Sequence, residues 1–143
     1  MGRVFLSYSH QDSRHRDALR KAAQRLEDAK LISLWHDEQV APGAPWAEEI
    51  RRELDESRLV LALMSPDFLS SPWCVGELER AFELRDRRLL DVVPIIIRQC
   101  AWRETPLGAI QALPAGGAPV ESYPDQSAAW NEVVSGLERL LCG

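Results

Sequence analysis

The stretch Ser65-Pro66-Asp67-Phe68-Leu69-Ser70-Ser71-Pro72-Trp73-Cys74-Val75-Gly76-Glu77 decides the fold. It follows the apolar run Leu59–Met64, which reads as a buried strand, and it runs into a helix. Ser71 is a good N-cap, because its hydroxyl can accept from an unpaired backbone N–H. Pro72 suits the first helical position, where a missing N–H costs nothing. Trp73 and Glu77 are four residues apart and so share one helical face. Cys74, Leu78, Ala81 and Phe82 make an apolar stripe beside them. A carboxylate is therefore held next to an indole at a strand-to-helix junction.

The same alternation extends outward in both directions. Upstream, Val4-Phe5-Leu6 reads as a buried parallel strand running into the polar loop Ser7–His10. Asp12 or Ser13 can cap the next helix, which shows Ala18, Leu19, Ala22, Ala23 and Leu26 at helical spacing and should end near Lys30. Leu31–Trp35 is a second strand nearer an edge, followed by a loop with two prolines and a glycine over Asp37–Pro45. Trp46 to about Ser57 is helical, with Trp46, Ile50 and Leu54 on one stripe. Downstream, Ser71–Arg88 is helix and Asp91–Ile97 is a fourth strand, although Pro94 lacks a ladder donor and favours an edge. Residues 98–118 read as loop with a helical turn near Leu107–Leu113; Pro119-Val120 reads as a stub of a fifth strand. A last helix covers Ser127 to about Cys142, with Trp130, Val133, Val134, Leu137 and Leu141 facing in.

Alternating strands and helices predict an α/β chain with a parallel sheet. At 143 residues the expectation is one domain, 1–143, with a flavodoxin-like three-layer sandwich. The sheet should be five-stranded, of order 2-1-3-4-5, with helices on both faces. Ligands bind such sheets beyond the carboxyl ends of the strands, where Tyr8–Asp12, Asp37–Pro45 and Ser65–Ser71 should converge on the Trp73–Glu77 face.

Composition narrows the function classes. The net charge of -5 lacks the basic footprint of a nucleic-acid binder, and only Lys21 and Lys30 are lysines. No apolar run approaches the ~20 residues of a membrane span. Cys74, Cys100 and Cys142 are odd in number and widely spaced, which gives neither a disulfide framework nor a zinc motif and suits a reducing cytoplasm. His10, His15 and His36 are scattered; the His36-Asp37 pair has no further ligands at useful spacing, so no metal site is expected. A response-regulator receiver needs an acceptor aspartate ending strand three and a lysine after strand five. Ser65 stands in the first position and neither lysine is near the last strand.

Four segments together resemble the Toll/interleukin receptor (TIR) domain family. They are Val4-Phe5-Leu6-Ser7-Tyr8-Ser9-His10-Gln11-Asp12; the Asp37, Pro42, Gly43, Trp46 and Ile50 pattern; Ser65-Pro66 with Ser71–Glu77; and Val92–Ile97 followed by Trp102 and Leu113-Pro114. The Trp-Cys-x-x-Glu piece is the most specific, and the Ser-His-Gln-Asp wording looks more like bacterial members. The resemblance implies an enzyme that cleaves NAD+ at the nicotinamide–ribose bond, with Glu77 catalytic and Tyr8, Ser9, Ser71 and Trp73 on the substrate. It implies a gating and assembly loop containing Asp37, Pro42, Gly43, Pro45 and Trp46. It implies no cofactor, since NAD+, or also NADP+, is consumed. Other TIR domains in an oligomer or filament and a sensor domain elsewhere in a longer effector protein are the implied partners, in an immune or antiviral setting.

The chemistry suits these residue types. Nicotinamide is a cationic leaving group, so one carboxylate that stabilises the oxocarbenium-like ribose can suffice. A Gly-x-Gly-x-x-Gly phosphate loop is absent, which fits a consumer of NAD+. The plainer alternatives are a solvated Glu77 paired with Arg80 or Arg14, a Trp73 that only packs, a Tyr8 that is strand-end core, and an interaction module without catalysis. Cys74 reads as a small buried hydrophobe.

Overall fold

The computed structural model describes residues 2–142. Strands β1 (Gly2–Ser7), β2 (Ile32–Trp35), β3 (Leu59–Met64) and β4 (Asp91–Ile96) form one parallel sheet in the order β2-β1-β3-β4. The helices are α1 (Ser13–Ala22), α2 (Gln24–Asp28), α3 (Trp46–Glu56), α4 (Pro66–Leu69), α5 (Pro72–Asp86) and α6 (Gln126–Cys142). Side chains alternate across the pleat and build two cores. Val4, Leu6, Leu61, Leu63 and Ile95 meet α1, α2 and α6 on one face. Phe5, Val60, Ala62, Met64 and Ile96 meet α3 and α5 on the other. All six residues of β3 are buried, as an unbroken apolar run in a central parallel strand requires. This is the expected flavodoxin-like sandwich with helices on both faces.

The sheet has four strands where the sequence reading expects five. Pro119-Val120 does not extend the sheet; Val120–Ser122 is a 3₁₀ turn. The place beside β4 is taken by a single residue, Leu113, whose N–H donates to the Pro94 carbonyl at 2.9 Å and whose carbonyl accepts from Ile96 N–H at 2.8 Å. The same pattern removes the difficulty at Pro94. Asp91 and Ile97 donate to β3 and its flanks, so the alternate residues, Pro94 among them, turn their backbone nitrogens to the outer side. No β3 ladder bond is lost there.

Other differences are local. The helix expected to run to Lys30 is broken at Ala23, whose φ -86, ψ 0 ends α1 and starts α2. Lys30 then adopts a left-handed φ of 60, and Leu31 N–H closes back onto the Leu26 carbonyl. The residues between β3 and α5 are not plain loop, because Ser65 caps the short α4 by accepting from Phe68 N–H at 3.1 Å. The segment 98–118 carries three short 3₁₀ turns. Among the described residues no helix is long and apolar enough to cross a membrane.

Asp12 does not cap α1 with its side chain; Ser9 caps the preceding 3₁₀ turn instead. The Asp12 carboxylate is 2% exposed and turned inward. It accepts from Ser65 Oγ at 2.5 Å and from Arg98 Nη2 at 3.1 Å. Arg98 also pairs with Asp67. One carboxylate thus joins the segments that leave β1, β3 and β4. Asp12→Ala leaves the Ser65 hydroxyl without its acceptor and strips Arg98 Nη2 of the buried one of its two carboxylates, and is expected to lower stability by about 3 kcal/mol. Urea unfolding checks this; a loss below about 1 kcal/mol would contradict the role, since that is the scale of an ordinary surface change.

Candidate active site

The β1–β3 junction is the point from which the chain winds in opposite directions, and open α/β sheets leave a crevice there. The α5 helix enters it. Ser71 Oγ accepts from Cys74 N–H at 3.2 Å, and Pro72 sits in the first turn, as the sequence requires. Trp73 and Glu77 follow on one face, and Cys74 is buried on another with its thiol pushed up to about 11, chiefly by burial.

Glu77 is not a solvated surface residue. Arg80 pairs instead with Asp55 and Glu83, and Arg14 lies against Glu121. The partner of Glu77 is Ser7, the last residue of β1, whose hydroxyl donates to Oε1 at 2.8 Å. Burial pushes the Glu77 carboxyl up to about 7, the Ser7 bond opposes this, and the negative charge of Asp37 adds to it. Ser7 escaped the sequence reading; a small polar residue ending a buried strand was the available signal.

The loop after β2 is tied to the loop after β1. Tyr8 donates its hydroxyl to Asp37 Oδ1 at 3.0 Å and accepts from Arg16 Nη1 at 2.6 Å. His10 Nε2 lies 2.7 Å from Asp37 Oδ2, and Arg16 also reaches Glu38 at 2.9 Å. Burial holds the Tyr8 phenol above its ordinary range and His36 below its own. Tyr8 is both things the sequence allowed, a core residue and a cavity wall. Gly43 turns the loop with a left-handed φ of 86, and Pro45 leads directly into α3.

At the first residue of α3, Trp46 stacks on Trp73 with ring centroids 4.6 Å apart and planes 27° from parallel. The two indoles are 43% and 41% exposed, so Trp73 is not a core residue. Two cavities flank the pair. One, of about 310 Å³, is bordered by Tyr8, Ser9, Asp37, Trp46, Ser71 and Trp73. The other, of about 410 Å³, is a largely apolar groove between α3 and α5 that includes Ile50, Leu54, Trp73, Gly76 and Glu77. The structure therefore gathers Tyr8, Ser9, Asp37, Trp46, Ser71 and Trp73 but puts Glu77 in the adjoining groove, with Trp73 common to both. Pro42, Gly43 and Pro45 border neither cavity.

A doubly wound parallel sheet with an acidic residue poised at its switch point defines a flavodoxin-like α/β protein. The chain belongs to the TIR domain family, whose model matches residues 4–129. It is 35% identical over 142 residues to the uncharacterized protein y4lF of Sinorhizobium fredii, a match covering 96% of this chain and 43% of that protein. It is 27% identical over 92 residues to the TMV resistance protein N of Nicotiana glutinosa, covering 64% of this chain and 8% of the other. The chain thus spans less than half the length of these relatives. Among solved structures, the TIR domain of the Toll-related receptor TRR-2 of Hydra magnipapillata shares the fold with a TM-score of 0.67 at 22% identity, over 98% of both chains. The TIR domains of the activated Roq1 resistosome match with a TM-score of 0.59 at 21% identity, over 97% of this chain and 84% of that one.

The raised Glu77 carboxyl carries a stability signature. The folded state holds a proton that the unfolded chain releases nearer 4.5, so stability falls as pH rises from about 4.5 to about 7. Glu77→Gln has no such proton. Its stability relative to wild type is expected to improve by up to about 3 kcal/mol between pH 5 and pH 8. Urea unfolding of both proteins at the two pH values checks this, and a constant difference would contradict it.

Proposed function

We propose that the chain is a NAD+ nucleosidase of the TIR family, cleaving the nicotinamide–ribose bond. Water adds to the ribose anomeric carbon, the bonding pair leaves with neutral nicotinamide, and a proton is released; capture by a group within ADP-ribose would instead give a cyclic product. Glu77 stabilises positive charge as it develops on the ribose, in its ionised form. Tyr8, Ser9, Ser71 and Trp73 hold the remainder of the dinucleotide, and NAD+ is substrate, not cofactor. The supporting observation is the half-buried Glu77 carboxyl, which accepts from Ser7, lies one turn after Trp73 and lines the α3–α5 groove next to the cavity of Tyr8 at the sheet's switch point. Its raised pKa is the kind of perturbation that functional carboxyls show. A cationic pyridinium ring in the groove would favour the ionised form.

The setting we propose is a bacterial immune or cell-suicide pathway in the cytoplasm, with this TIR domain as one part of a longer protein carrying a sensor. The disease-resistance names of plant relatives and the short share of each relative that the chain spans support this. A second reading, a TIR interaction module without catalysis, is favoured by the separation of Glu77 from the cavity of Tyr8 and Ser9.

The two readings part on one experiment. With NAD+ and chromatographic product analysis, wild-type kcat/KM should rise with pH through about 7 as Glu77 ionises. Glu77→Gln should be lower by about a hundredfold or more and lose that pH step. Near wild-type turnover in the Gln protein would remove Glu77 from the chemistry.

Assembly is the second part of the proposal. The 37–46 loop stands at the mouth of the site, pinned through Asp37 and through Trp46. A neighbouring TIR domain that engages it would change access to both cavities. Specific activity is therefore expected to climb with protein concentration and with a fused oligomeriser, which raises effective concentration without new contacts. Full activity in a strictly monomeric sample would contradict this.

A further inference from the structure

A glycine inside a helix is destabilising relative to alanine, so it needs a reason. Gly43, Gly116 and Gly117 have left-handed backbones, and a Cβ on Gly108 or Gly136 would strike Arg103 or Leu113. Gly76 has no such reason. It lies within α5 in ordinary helical conformation, and a Cβ there would meet nothing within 4 Å. The fold itself would accept a side chain at this position.

What Gly76 does have is a place in the wall of the α3–α5 groove. It stands one turn after Trp73 and next to Glu77. Ile50 and Leu54 line the same groove from α3. Without a Cβ the helix surface is flat, and a planar group can lie in contact with the backbone. The charges at this groove are Glu48, Arg51, Glu77 and Arg80. Arg80 is already neutralised by Asp55 and Glu83, which leaves Glu48 and Glu77 against Arg51. A flat, cationic heteroaromatic ring fits that combination, with apolar walls for its faces and a carboxylate for its charge.

We propose that Gly76 is a specificity-determining residue that admits the planar pyridinium ring of the dinucleotide into the α3–α5 groove. The ring lies against α5 beside Glu77, and the rest of the molecule passes Trp73 into the cavity of Tyr8, Ser9 and Ser71. This rests on the NAD-cleaving reading and assigns the two cavities to the two halves of the substrate.

Gly76→Ala and Gly76→Leu test it, because both replacements are better helix formers. Their melting temperatures should equal or exceed that of wild type. For Gly76→Leu the KM for NAD+ should rise about tenfold or more, with product inhibition by nicotinamide weakened in parallel. Unchanged KM and unchanged inhibition would overturn the proposal. A second readout needs no turnover: the 1-methylnicotinamide cation, a pyridinium ring methylated at its ring nitrogen and lacking ribose, is titrated while the Ile50 methyl resonances are followed. Saturable shifts in wild type that vanish in Gly76→Leu support the site, even in a protein that leaves NAD+ intact, where only the cleavage reading would fall. Absence of shifts in wild type would overturn the site itself.

Discussion

The arrangement at the carboxyl end of the sheet depends on one buried negative charge. Asp12 receives Ser65 from the end of β3 and Arg98 from the end of β4, while its own backbone follows β1. Three loops that would otherwise move independently are held to a common point. Burying a carboxylate is costly unless it is paired and hydrogen-bonded, and here both conditions are met. Ser65 completes the link by also capping α4, so the path from β3 to α5 is set at its first residue. The positions of Ser71, Trp73 and Glu77 follow from there.

Above that frame the site is divided. The Trp46–Trp73 stack brings the start of α3 against the start of α5, and each indole remains partly exposed. Exposed aromatic pairs gain from contact with one another, yet both rings still face solvent. The division places an apolar groove with the acidic residue on one side and a more polar recess with Tyr8 and Asp37 on the other. A substrate with a flat charged end and a long hydroxyl-rich remainder matches such a division.

Much of the fold was legible because its signals are local. The apolar run Leu59–Met64 became β3 with no change of bounds, and Ser71-Pro72 opened α5 as capping chemistry requires. What escaped depends on distant partners. Leu113 takes the place where Pro119-Val120 was expected to pair, and its register with β4 is set by how the 98–118 segment folds back. Asp12 looks like a cap in sequence and is drawn inward by Ser65 and Arg98. In the site, the Trp73–Glu77 face was readable from helical spacing, whereas the Ser7 bond to Glu77 spans 70 residues. Trp46 reads as part of a helical stripe and turns out to cover Trp73, because the direction of α3 against α5 is a tertiary property.

The outer side of β4 has a bearing on crowded conditions. Unpaired edge strands are templates for uncontrolled sheet growth when copies of a protein are brought together. Here the edge is blunted: Pro94 offers no donor, and Leu113 already occupies both the Pro94 carbonyl and the Ile96 N–H. Only short stretches of that edge remain open to another chain. A TIR domain so finished can be concentrated by its neighbours with little hazard of amyloid-like zippering at this side, and contacts between copies are left to side-chain surfaces that can be reversed.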